Sequence, residues 1–102
     1  SAWVGNRIAG VGALRRLSPA QGEIKSMRTH PDFVRRGIAD AILSALAESA
    51  RAQGLAQLSL ETGSGPAFDP AIAFYRARGF VPGGAFGAYE KSDFNQFFHR
   101  TL

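Results

Sequence analysis

A mixed, mostly antiparallel β-sheet with helices packed on it, an α+β fold, is what this chain of 102 residues predicts. Three observations carry that reading. Short apolar or alternating runs bounded by turn residues recur at both ends of the chain. Two segments, 35–53 and 69–79, instead repeat their apolar residues every three or four positions, the period of a helix. The resulting order of strand, strand, strand, helix, strand, helix, strand, strand suits one sheet covered by helices. No internal repeat interrupts it, so residues 1–102 are expected to form a single domain.

Residues 2–14 read as a hairpin, with Ala2 to Val4 and Arg7 to Leu14 on either side of the tight-turn signal Gly5-Asn6. Gly5, Gly10 and Gly12 would weaken an isolated strand, which predicts that this one lies under another backbone or a ligand. Trp3 is expected in the core. After a loop from Ser18 to Gly22, the third strand runs from Glu23 to Thr29. Its apolar members Ile24 and Met27 break strict alternation, which predicts a bulge. From Arg35 to Gln53, Ile38, Ala41, Ile42, Ala45, Leu46, Ser49 and Ala50 form one helical stripe, and Gly54 ends it. Ala56 to Thr62 alternates through Leu58, Leu60 and Thr62. Gly63 to Pro66 is a flexible break. Asp69 as N-cap and Pro70 at the first helical position open a second helix, carried by Ile72, Phe74 and Tyr75 and closed at Gly79. Phe80-Val81 begins a strand that Pro82-Gly83-Gly84 interrupts, and Asn95 to Leu102 is the last strand.

Composition bounds the chemistry. Apolar residues make up 45% of the chain and aromatics 11%, enough for a packed core. No run approaches the about 18 apolar residues of a membrane span, and no basic segment precedes an apolar one at the N-terminus, so a cytoplasmic location is expected. The absence of cysteine excludes disulfides, a thiol nucleophile and a thiolate metal site. The two histidines, His30 and His99, lie far apart, and no metal is expected. His30 precedes Pro31 and reads as an extended structural residue, and His99 as a surface one. A net charge of +4 suggests an anionic partner. The basic residues are scattered, with no run of four and no aromatic interleaving on one helix face, which argues against nucleic acid. A phosphorylated ligand or plain solvation accounts for them as well.

The most informative stretch is 22–39. A strand ends at His30-Pro31-Asp32, and a short basic loop then feeds Gly37 and Ala39 into the first helix. With little side chain at those positions, several free N–H groups can point outward where the helix dipole already favours an anion. Arg35 and Arg36 add positive charge beside this cradle.

Val34-Arg35-Arg36-Gly37-Ile38-Ala39 resembles the acyl-CoA-binding motif of the GNAT superfamily of N-acetyltransferases, Gln/Arg-x-x-Gly-x-Gly/Ala. Val34 departs from the usual Gln or Arg. A second stretch, Ala71 to Phe80, is similar to the family's Ala-x-x-(Leu/Phe)-Tyr-x-x-x-Gly-Phe. The resemblance covers about residues 3–102. Members normally begin with a strand and two helices ahead of the hairpin; the chain lacks them and is expected to be incomplete at its N-terminus.

The resemblance implies a GNAT-like fold and direct attack of an amine, from a small molecule or a peptide, on acetyl-CoA. It places the pantetheine arm of the donor along Met27, Arg28 and Thr29, on a strand that splays from its neighbour. The pyrophosphate falls over Val34, Arg35, Arg36, Gly37, Ile38 and Ala39, with Phe74 and Arg78 flanking the donor site. Tyr75 falls where a phenol protonates the departing thiolate, and an N–H near Met27 or Arg28 would hold the oxyanion. Glu23, 14 residues ahead of Gly37, matches the base of the histone-acetylating branch. Burial would raise its pKa toward the working range of a base. The alternative reading makes it an edge carboxylate paired with Lys25 or an arginine, and Tyr75 a core aromatic beside Phe74 and Phe80. Glu61, acting through a water, is a second candidate base. Phe86 to Tyr89 could cap an acceptor amine by cation–π contact or simply pack its own aromatics. The alternative function is a non-catalytic module that binds or senses CoA. An exposed sheet edge further predicts pairing with a second copy.

Overall fold

The computed structural model describes residues 2–4, 7–29, 37–87 and 89–102, with side chains from 10–25, 37–87 and 89–102. The elements are β1 (Ala2–Val4), β2 (Arg7–Arg16), β3 (Gln21–Thr29), α1 (Ile38–Ala52), β4 (Gln57–Thr62), α2 (Asp69–Ala77), β5 (Val81–Gly83) and β6 (Gln96–Thr101). They form one sheet in the order β1-β2-β3-β4-β6-β5. Every neighbouring pair is antiparallel except β3 and β4. The fold class and the order of elements are those the sequence predicts.

Both helices cover one face. Leu43, Ala47 and Ala50 of α1 and Tyr75 of α2 share a core with Ile24, Leu58, Leu60, Phe80 and Phe98. Leu58 and Leu60 alternate inward from β4 as their period requires, and the intervening Ser59, equally buried, points to the other face. There, Arg15, Glu23, Ser59 and His99 form one register row across β2, β3, β4 and β6. Phe86 and Tyr89, from the segment after β5, pack over that row, with ring centroids 5.3 Å apart.

Several boundaries differ from expectation for local reasons. Helix α1 begins at Ile38 rather than Arg35, because Gly37 has φ 72°, a left-handed conformation no helix continues through. Asp69 is the first residue of α2 rather than its cap: Phe68 takes the cap position and its carbonyl accepts from the Ile72 N–H. The break from Gly63 to Pro66 holds a buried glycine, wedged beneath Phe68 and Phe94. Pro82 and Gly83 lie inside β5 instead of interrupting it. The strand is an outer one, where a missing N–H costs no ladder bond. The expected bulge is present: between Val11 and Ala13, two steps along β2 answer three along β3, from Arg28 to Lys25.

Candidate active site

Strands β3 and β4 are hydrogen-bonded neighbours only from Gln21↔Gln57 to Glu23↔Ser59. Beyond Ser59, β4 continues to pair with β6, whereas Ile24 to Thr29 pairs only with β2. The sheet therefore opens between β3 and β4, leaving one edge of β3 without a ladder partner among the described residues. A cavity of about 540 Å³ sits at this opening, reached by Ile24, Leu60 and Tyr75 from the helical face and by Glu23, Glu61 and Tyr89 from the other.

The two expected catalytic side chains thus meet one cavity although 52 positions separate them. Glu23 is only 2% exposed, and its Oε2 accepts a 2.5 Å hydrogen bond from the Tyr89 hydroxyl. Among the described residues its hydrogen-bond partner is a phenol from a distant loop. Oε1 carries no hydrogen bond among the described residues. The bond to Glu23, followed by burial, pushes the Tyr89 phenol up to about 12, because losing its proton would set two anions side by side. Tyr75 packs edge-on against Phe74 and Phe80, with centroids 5.4 and 5.6 Å away, as the core-aromatic reading expects, and it also lines the cavity. Burial raises its pKa from the ordinary phenol value and keeps it protonated. Glu61, half-buried, lines the same cavity.

The start of α1 is open. The Ala41 N–H makes the first intrahelical bond, to Gly37 O at 3.0 Å, so the amides of Ile38, Ala39 and Asp40 precede the ladder. Among the described residues no side chain caps them, and a methyl group built on Gly37 would meet none of their atoms within 4 Å. Asp40 would repel an anion here, but the Arg78 fork engages it through two bonds of 2.6 and 2.9 Å. That hydrogen bonding holds the Asp40 carboxyl below the usual range. Arg78 also donates to Phe74 O at 3.0 Å and lies 3.7 Å above the Phe74 ring. Its fork is occupied by the protein, so Arg78 ties α2 to the first turn of α1 and neutralises the approach to the cradle. The expectations for Val34, Arg35, Arg36 and His30 lie outside the described residues, as do those for the side chains of Trp3, Met27, Arg28 and Thr29.

His99 is not the surface residue expected. Its Nε2 lies 2.8 Å from Gly84 O and its Nδ1 2.7 Å from Ser59 Oγ, which also accepts from Gln21 Nε2 at 2.8 Å. A carbonyl oxygen only accepts, so Nε2 carries a proton and donates it to Gly84 O, while Nδ1 shares a hydrogen bond with the serine hydroxyl. The chain of bonds fixes the segment that delivers Phe86 and Tyr89. Sequence reasoning missed it because Ser59 and His99 are 40 residues apart. Among the described residues, no group of three or more His, Cys, Asp or Glu is placed to hold a metal ion. No helix among them is long and apolar enough to cross a membrane.

Residues 1–80 match the family model described as the acetyltransferase (GNAT) family. The chain belongs to the GNAT family. Two relatives of this GNAT chain are the uncharacterized N-acetyltransferases YsnE of Bacillus subtilis and YedL of Escherichia coli. YsnE is 48% identical over 80 residues, 78% of this chain and 53% of its own length. YedL is 39% identical over all 102 residues and 64% of its own length. The chain therefore spans between half and two thirds of these relatives. The same fold is seen in the structure of a GNAT family acetyltransferase from Elizabethkingia anophelis with acetyl-CoA bound. The TM-score is 0.81 at 18% identity, over 98% of this chain and 72% of that one.

Proposed function

We propose that the protein transfers an acetyl group from acetyl-CoA to a primary amine, of a small molecule or a peptide, by direct attack in a ternary complex. The observation that carries the reading is the opening between β3 and β4, with Glu23 and Tyr75 on one cavity at its mouth. The residues fit the donor. An uncapped helix start with an exposed left-handed glycine can take a diphosphate on its backbone amides, and the free edge of β3 can pair with an extended amide-bearing arm. Asp40, already neutralised by Arg78, does not oppose that charge. When bound, the thioester supplies an acyl carbon with a good leaving group.

The chain's own residues then handle protons and orientation. Glu23 takes a proton from the incoming ammonium, giving the free amine that forms the C–N bond as the C–S bond breaks. Tyr75, kept protonated by burial, donates to the departing thiolate, and the second amine proton restores the phenol through solvent. A bulge N–H at Met27 or Arg28 stabilises the carbonyl oxygen as charge develops on it. Tyr89 holds the Glu23 carboxylate toward the cavity mouth. Metal plays no part in this scheme.

The test is release of CoA thiol from acetyl-CoA with a panel of amines. Turnover that falls at least a hundredfold in Tyr75→Phe and Glu23→Gln, with the fold intact, supports the assignment. Saturable acetyl-CoA binding without turnover of any amine would favour a module that only binds the donor.

A further inference from the structure

The walls of the cavity are chemically divided. One part carries the Glu23 and Glu61 carboxylates with Lys25 and the Tyr89 hydroxyl; another is aromatic, formed by Phe68 and Phe94. Phe94 is 54% exposed, unusual for a ring of its size among the described residues. Its exposure does not come from loose attachment. The ring meets Phe68 edge-to-face, with centroids 5.5 Å apart at 84°, and lies directly on the backbone of Gly63. A Cβ at Gly63 would collide with Phe94 Cζ and fall 2.7 Å from Phe68 Cε2, so the aromatic pair closes on the chain only because this residue has no side chain.

A ring so held on one side and open on the other is an organised apolar surface beside charged groups. Its packed side contributes to folding, while its open side leaves apolar surface in water that a ligand could cover. A ligand that covered it while presenting a cation to the two carboxylates would satisfy both parts of the cavity. With Glu23, Glu61 and Lys25 all on its lining, the cavity holds one more carboxylate than ammonium group, a balance that favours a cationic ligand.

We propose that the acceptor is an arylalkyl amine, a primary ammonium carried a short chain away from a flat aromatic group, and that Phe94 backed by Phe68 is the surface on which the ring lies. The inference rests on the acetyl-transfer reading above and adds the acceptor's chemical class. Aromatic pairs prefer offset or edge-on contact and gain beyond their buried area, so the surface discriminates aromatic from saturated groups of equal bulk. The same chemistry exists in a free amine and in a peptide whose first residue is aromatic.

The experiment measures kcat/KM for CoA release by the full-length protein with 2-phenylethylamine, 2-cyclohexylethylamine, n-butylamine, a phenylalanyl dipeptide and an alanyl dipeptide. The aromatic member of at least one set should exceed its saturated or small counterpart tenfold or more, and which set does so identifies the source. In Phe94→Ala, and in Phe94→Leu, which keeps apolar volume but loses the flat face, that ratio should fall to within about threefold of unity. Equal kcat/KM for aromatic and saturated amines, or an unchanged ratio in both variants, overturns the acceptor assignment while leaving acetyl transfer standing. No turnover of any amine removes the transfer reading, and this inference with it.

Discussion

The two faces of the sheet are built from the same strands and do opposite work. On the helical face, Leu58, Leu60, Ile24 and Phe98 lock against α1 and α2 in a dry, apolar core. On the other face, the residues between them are mostly polar, Glu23, Ser59, Glu61 and His99 beside a buried Phe97, roofed by Phe86 and Tyr89. Glu23 and Ser59 are as buried as the leucines beside them, yet among the described residues each has a hydrogen-bond partner. The contrast teaches that one face supplies stability by volume, the other order by satisfied polar groups. The gap between β3 and β4 is where the two faces communicate.

If that division holds, substitutions on the two faces separate cleanly. Glu23→Gln keeps an oxygen for the Tyr89 hydroxyl but cannot take a proton, so kcat/KM should fall about a hundred- to ten-thousandfold with little loss of stability. Parallel activity assays and urea melts check this; equal losses in both would merge the faces. Leu58→Ala, at a fully buried core position, should cost about 2–5 kcal/mol in a urea melt while the folded fraction keeps its kcat/KM.

Ser59→Ala strips partners from both Gln21 and His99 and should cost about 1–3 kcal/mol. Hydrogen exchange should show the loss concentrated around residues 84–89. The smallest effect is alkaline. Tyr89 titrates at about 12 in the folded chain against an ordinary 10.0, so its contribution is fully present below pH 10 and is lost as pH rises toward 12. Tyr89→Phe should therefore lose part of the decline in stability between pH 10 and 12, read from thermal melts across that range. An unchanged profile would detach Tyr89 from Glu23.

What the sequence disclosed follows the same division. The helical face was legible because it is periodic: Leu58 and Leu60 alternate, Ile42 and Leu46 recur at helical spacing, and Gly54 and Gly79 end their helices with positive φ. The bulge was legible because Ile24 and Met27 fall out of phase. The family was legible through two motifs whose residues are contiguous, Val34 to Ala39 and Ala71 to Phe80. The polar face was not, since Glu23 with Tyr89 and Ser59 with His99 are joined only by tertiary contact, 66 and 40 positions apart, as are Asp40 and Arg78 between the helices, 38 apart. Asp69 and Pro82 misled because turn chemistry leaves the boundary open by a residue or two, and packing around Phe68 and the outer position of β5 decided it.

The central claim is that the donor lies along the free edge of β3 with its diphosphate on the first amides of α1. Amide hydrogen exchange with and without saturating acetyl-CoA tests it at the atoms concerned. Slowed exchange at residues 24–29 and 37–40, with the β4–β6 ladder unaffected, is the expected result. Saturable binding that leaves both segments exchanging at their free rates would contradict the account.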